Sequence, residues 1–316
     1  MLLRSSVAPP PGAHGGDGPR LAAALGIDPS EVLDLSLSLN PGAPDVVALA
    51  RMRLDGLRRY PDPSDATAAL AAALAVDPDR LVLTNGGAEA VALVAADVGE
   101  GWVEPPDFSL YERHLPVVRR GAGRWRSNPC NPTGELAPAP ATAAVWDEAF
   151  WPLATGTWTR GDAGEDATGA YVVGSLTKTF ACPGLRVGYA ICPDGAVAAR
   201  LRARQPAWSV SGLACEVVPE LVAAADLGAW AAQVKALRAQ LVDVLRGAGW
   251  SARAADAPWV LVPEAGDLRE RLARHAVLVR DCASFGLVDT VRVAVPGEQG
   301  LERLAAALIA VIAVNR

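Results

Sequence analysis

Ser175-Leu176-Thr177-Lys178-Thr179-Phe180-Ala181-Cys182-Pro183-Gly184-Leu185-Arg186-Val187-Gly188-Tyr189 is the stretch on which the reading of this chain turns. It follows Tyr171-Val172-Val173-Gly174 and leads into Val187-Gly188-Tyr189-Ala190-Ile191, two short apolar runs that read as buried strands. Between them, one loop carries hydroxyls, a lysine and an arginine. The chain has only two lysines, Lys178 and Lys235, among 29 basic side chains. A guanidinium stays charged, whereas an amine can lose its proton and attack a carbonyl. Lys235 fits the polar face of an amphipathic helix; Lys178, framed by apolar strands, does not. The loop therefore predicts a lysine that condenses with a carbonyl, with Ser175, Thr177 and Arg186 available to hold a phosphate.

Composition sets the outer bounds. A chain of 316 residues can bury most of its apolar surface, and at roughly 150 residues per domain it suggests about two domains. With 51% apolar and 20% charged residues it reads as globular. A net charge of −6 gives no reason to expect a nucleic-acid partner, which would call for a basic patch. The cysteines Cys130, Cys182, Cys192, Cys215 and Cys282 are odd in number and lack C-x-x-C spacing, which argues against a disulfide framework or zinc and for a reducing cytosol. His14, His114 and His275 are too dispersed to suggest a metal cluster. Met1 to Pro11 lacks the apolar core of a signal peptide, and Leu304 to Val314 is too short to span a bilayer. The expected protein is soluble and cytoplasmic, with no membrane partner.

Working outward, strands and helices alternate. A helix is expected over Pro19 to Leu25, a strand over Val32 to Leu39, and a helix over Pro44 to Leu57. Another runs from Asp65 to Leu74 with Ser64 as its cap. Leu81-Val82-Leu83 breaks at Thr84-Asn85-Gly86-Gly87 before a helix over Ala88 to Val98. A strand, a glycine turn and a helix start make an anion seat, because unpaired N–H groups and the helix dipole point there. Ala144 to Phe150 reads as a strand with carboxylates at its C-terminal end, where open α/β sheets bind ligands. Beyond Gly247 and Gly249 the pattern shifts to a smaller α+β unit. The division expected is an N-terminal arm and small-domain segment (1–40), a large domain (41–230) and a small C-terminal domain (231–316).

The lysine loop resembles the S-[LM]-[ST]-K-x-x-x-x-[PA]-G-L-R-x-G-Y segment of the class I/II aminotransferase family, enzymes that use pyridoxal 5′-phosphate (PLP). Asn131, Asp147, Ser175, Lys178 and Arg186 stand in the chain order of that family. The resemblance implies the aspartate aminotransferase-like α/β fold (fold type I), with a large mixed-sheet α/β/α domain and a smaller α+β domain. It implies that Lys178 joins the cofactor's aldehyde and later shuttles a proton. Asp147 would pair with the ring nitrogen, favouring the electron-withdrawing protonated ring, and Asn131 would bond the ring oxygen. Ser175, Thr177, Arg186 and the backbone at Gly87 and Ala88 would hold the phosphate. Tyr111 would stack on the ring, Tyr60 would reach the phosphate of a neighbouring subunit in a homodimer, and Arg292 would clamp the substrate carboxylate. His14 and Arg280 are candidates for a substrate phosphate.

Within the family the chain is most similar to the threonine-phosphate decarboxylases of cobalamin biosynthesis. His14-Gly15-Gly16-Asp17, Asp147-Glu148-Ala149-Phe150, Arg204 to Val210 and Val277 to Ala283 carry that likeness. Phe150 stands where histidinol-phosphate aminotransferases place a tyrosine. The chain departs from the family pattern between Arg120 and Asn128 and between Gly134 and Val145, where it is much shorter. Most of a strand–helix segment is expected to be missing there. A decarboxylase, an aminotransferase of the histidinol-phosphate type, and a PLP-binding protein without turnover all remain open at this point.

Overall fold

The computed structural model describes residues 8–12, 14–160 and 169–313. The N-terminal segment contributes β1 (Leu33–Leu35) before the chain enters a large sheet. That sheet is built from β2 (Leu81–Asn85), β3 (Glu100–Val103), β4 (Val117–Val118), β5 (Arg124–Ser127), β6 (Val145–Asp147), β7 (Tyr171–Ser175) and β8 (Val187–Ile191). Their lateral order is β2-β8-β7-β6-β5-β3-β4. Neighbours from β3 to β7 pair in parallel, while β8 runs against both β2 and β7. Two antiparallel steps leave β2 parallel to β7, so Asn85, Ser127, Asp147 and Ser175 all end strands on one edge. That edge is where a parallel sheet presents its ligand-binding loops. Both faces of β7 and β8 are covered, hence their unbroken apolar runs.

The chain then builds a second sheet from β9 (Arg253–Ala254), β10 (Trp259–Pro263), β11 (Val277–Asp281) and β12 (Thr290–Ala294). β1 joins it in parallel with β11, Leu33 opposite Val277 and Leu35 opposite Val279, giving the order β1-β11-β12-β10-β9. The helix Leu227–Gly247 bridges the two sheets. Its Trp230 packs into the large-sheet core, while Leu237, Leu241 and Leu245 pack into the small-sheet core with Leu304, Leu308 and Val311 of the helix Glu298–Ala313. Those apolar positions recur at three- and four-residue steps, which puts them on one stripe.

Several local expectations are corrected. The helix expected over Pro44 to Leu57 is two pieces, an α-helix Val46–Met52 and a 3₁₀ turn Leu54–Arg58. The strand expected over Val32 to Leu39 is limited to β1, because the Asp34 carboxylate accepts from the N–H and hydroxyl of Ser36 and turns the chain. Ser64 is not a cap. It opens the helix Ser64–Leu74 from inside, and Asp62 accepts from its N–H and hydroxyl.

The region expected to be abbreviated contains β4, β5 and β6 with loops between them. Among the described residues, no helix lies between β4 and β5 or between β5 and β6. The loop following β5 lays Ala137, Ala141 and Ala143 against the core instead, and the Arg160 guanidinium covers Trp146 at 4.0 Å. No helix among the described residues is long and apolar enough to cross a membrane.

Candidate active site

A cavity of about 530 Å³ opens at the carboxyl edge of the large sheet, with β11 and β12 of the small sheet closing its far side. Its size suits a small-molecule site. Lys178 lies on the short helix Leu176–Thr179 directly after β7. Asn40 fixes that turn: its backbone N–H donates to the Lys178 carbonyl at 3.0 Å and its amide to the Thr179 carbonyl at 2.8 Å. Burial, helped by the Arg292 and Arg186 charges, pulls the Lys178 ammonium down to about 8, and Asp147 opposes the shift.

Asp147 ends β6 beside it. Burial raises its carboxyl, while the Ala149 N–H (2.9 Å) and the Tyr111 hydroxyl (2.7 Å) donate to it and favour its charge. Tyr111, expected to stack on a ring, is instead fully buried and does not line the cavity. Phe108 reaches the cavity, meeting His14 edge-on at 5.9 Å and Tyr111 at 5.6 Å. Phe150 lines the cavity wall, with the Lys178 amine 5.8 Å from its ring centre. No phenol faces the lysine at that position.

Asn131 and Arg292 meet across the gap between the sheets. The Arg292 guanidinium donates to the Asn131 side-chain oxygen at 2.6 Å and lies over Trp259 at 4.6 Å. Burial brings Arg292 down to about 10. At the other end, the helix Gly86–Val98 begins where β2 stops. Gly86 sits at φ 73°, and a Cβ there would run into the Arg186 guanidinium. Arg186 itself holds φ 57°, a left-handed conformation rare for a long side chain. Ser175, Thr177, Gly87 and Ala88 line the same end, and the buried Thr177 hydroxyl lacks a hydrogen-bond partner among the described residues.

The structure thus brings Lys178, Asp147, Asn131, Ser175, Thr177, Arg186, Gly87, Ala88 and Arg292 around one cavity. His14 sits exposed at its rim, its imidazole basicity lowered by partial burial and by Arg280, Arg113 and Lys178. Arg280 lines the cavity too, but its head donates to the Gly12 carbonyl (2.8 Å) and the Ser284 hydroxyl (2.9 Å), which ties down the N-terminal arm. Tyr60 lies away from this cavity; it is 78% exposed and stacked on Trp208 at 4.5 Å. Asn40, Phe108, Arg113 and His114 stand at or against the cavity without having been expected among its site residues. Only the Asn40-Pro41-Gly42 turn and the Phe108 aromatic gave any signal, and neither carried a direction.

A sheet of this order, with its lysine loop after the penultimate strand and a cationic cavity at its carboxyl edge, defines a cofactor-assisted α/β enzyme. The sequence pattern of the family described as aminotransferase class I and II matches residues 125–308, and the chain belongs to that family. It is 31% identical to a threonine-phosphate decarboxylase of Salmonella typhimurium over 360 aligned positions, covering 94% of this chain and 95% of that one. It is 29% identical to a histidinol-phosphate aminotransferase of Halobacterium salinarum, covering 91% and 93%. Its fold matches that of a histidinol-phosphate aminotransferase of Sinorhizobium meliloti solved with pyridoxal 5′-phosphate, with a TM-score of 0.76 at 17% identity over 88% and 90% of the two chains.

Proposed function

We propose that this PLP-dependent enzyme acts on a phosphorylated amino acid, with decarboxylation of L-threonine O-3-phosphate as its leading reaction. The observation that carries the reading is charge. Lys178, Arg113, Arg186, Arg280 and Arg292 line the cavity against a single carboxylate, Asp147, among the described residues. The cofactor phosphate and one substrate carboxylate leave positive charge over, which a second phosphate would take up.

The residues present fit the cofactor. The orphaned Thr177 hydroxyl, the Arg186 guanidinium and the opening N–H groups of the helix Gly86–Val98 would hold its phosphate. Asp147 would hold its ring nitrogen, and Asn131, pinned by Arg292, its ring oxygen. When bound, the cofactor supplies an aldehyde for amines and an electron-withdrawing ring. Lys178, with its amine brought to about 8, can accept or return a proton near neutral pH. The donors from Tyr111 and Ala149 keep Asp147 anionic against the cost of burial. Arg292 would grip the substrate carboxylate, and with a distal phosphate contact it would set which substrate bond stands perpendicular to the ring. The working unit is a homodimer in which Tyr60 of one copy reaches the cofactor phosphate of the other, a reading supported by its exposure away from its own cavity.

Purified protein supplied with PLP and L-threonine O-3-phosphate, without a keto acid, should release CO₂ and the amine phosphate in equal amounts. The likeness to histidinol-phosphate aminotransferases supports a second reading, in which turnover of histidinol phosphate requires 2-oxoglutarate. No product in either assay overturns both.

A further inference from the structure

The cavity rim carries a cation, Arg113, to which no part of the cofactor or of the reacting carboxylate is assigned. Arg113 lies in the helix Leu110–His114, five residues past Phe108, and its side chain is exposed yet lines the cavity. Among the described residues its side chain has no hydrogen-bond or ion-pair partner. His14 and His114 line the same cavity, and Arg113 lowers the basicity of both, after the effect of burial. One guanidinium therefore shares the cavity with two imidazoles whose charged forms are disfavoured, and among the described residues no carboxylate is paired to it.

The other arginines of the cavity are committed. Arg292 donates to Asn131, Arg186 to the Pro183 carbonyl, and Arg280 to Gly12 and Ser284. Arg280 would have to release the N-terminal arm to turn its fork on a ligand. Arg113 would break nothing.

We propose that Arg113 is a specificity-determining residue, which with His14 and His114 grips the distal phosphate of the substrate at the cavity mouth. This rests on the reading of the substrate as a phosphorylated amino acid and names the groups that select it. A guanidinium offers paired N–H donors to phosphate oxygens. Each imidazole can add a donor without bringing a fixed positive charge to the empty rim. Arg113 is exposed at the cavity while Tyr111, two residues before it, is buried and bonded to Asp147, so the distal group is read apart from the reacting end.

The test is a spectral titration of the PLP-loaded enzyme with L-threonine O-3-phosphate and with L-threonine, the affinity ratio being the readout. In the unaltered protein the phosphorylated ligand should bind more tightly. Arg113→Gln should cut that preference about tenfold, the scale of one charge-assisted hydrogen bond, and Arg113→Lys should restore part of it. Raised salt should erode the preference in the unaltered protein more than in Arg113→Gln. If the unaltered protein shows no preference, the phosphorylated-substrate reading itself fails. If it does and Arg113→Gln keeps that preference whole, the substrate reading stands and the assignment of Arg113 is overturned. Because Arg113 is exposed, the substitution leaves the core intact, which an unchanged far-ultraviolet spectrum would verify.

Discussion

The Arg292 guanidinium donates to the Asn131 side-chain oxygen at 2.6 Å, joining β12 of the small sheet to the loop after β5 of the large one. The contact is buried, and each partner also faces the cavity. Substrate gripped by Arg292 would therefore be registered against the group proposed to hold the ring.

Arg292→Lys keeps the charge and loses the fork. It should raise KM for a carboxylate substrate about tenfold or more, since one bidentate pair is broken. Leaving the Asn131 oxygen unpaired in the interior should also cost about 1–3 kcal/mol of stability. Steady-state kinetics and a denaturant midpoint measure the two effects separately. An unchanged KM would remove Arg292 from substrate binding.

At the phosphate end, Gly86→Ala should be damaging out of proportion to one methyl group. The residue holds φ 73°, and the new Cβ would meet the Arg186 guanidinium. The conformational cost is roughly 1 kcal/mol or more, and displacing Arg186 adds the loss of a charged contact to the phosphate. PLP affinity measured by absorbance should drop at least about tenfold. Unaltered affinity would mean that Arg186 and this turn do not hold the phosphate.

The sequence was most readable where backbone and chemistry coincide. The strand–loop–strand around Lys178 shows as two apolar runs flanking polar groups, and β7 and β8 are found there. Asp147 could be placed because a carboxylate ends an apolar run, and β6 stops at that residue. What stayed hidden depends on side-chain direction. Asn40 reaches the Lys178 turn across 139 residues of chain, as its bond to the Thr179 carbonyl shows, and no local pattern encodes that. Phe108 precedes the helix Leu110–His114 and reaches the cavity, whereas Tyr111 inside that helix is buried behind it, and three residues of sequence do not reveal which way each ring turns. The shortened region was legible as missing length and missing helix, but the strands that remain there were not, because β4 and β5 are too brief to show a period.

Tyr111→Phe tells the two placements of that ring apart. If its work is the 2.7 Å hydrogen bond to Asp147, removing the hydroxyl leaves a buried carboxylate short of a donor. Stability should fall by about 1–3 kcal/mol, and the absorbance maximum of bound PLP should move. A ring that merely stacks would lose nothing, since phenylalanine stacks as well. An unshifted spectrum with an unchanged denaturant midpoint would restore the stacking role.

The proposed sharing of active sites between two copies makes a complementation prediction. Tyr60→Ala and Lys178→Ala should each be strongly impaired alone, because one lacks the reaching side chain and the other the amine. Mixed and reassociated in equal amounts, half the dimers would carry one intact site. About a quarter of the original activity should return. No recovery, with mixed dimers confirmed by native mass spectrometry, would confine the site to one chain.

The Lys178 amine gives the pH prediction. Burial and the Arg292 and Arg186 charges disfavour its cationic form, which brings it to about 8 from the 10.5 of an ordinary lysine. Only the uncharged amine attacks an aldehyde. In cofactor-free protein, the rate of borohydride-fixable PLP incorporation should therefore rise about tenfold per pH unit below 8 and level off above it. An ordinary exposed lysine would still be gaining at pH 10. Two variants should move the break in opposite directions. Arg292→Gln removes a repelling cation and should push it up, whereas Asp147→Asn removes the anion that supports the ammonium and should pull it down. Shifts of the same sign in both variants, or a break that stays above pH 10, would show that these neighbours do not control the amine.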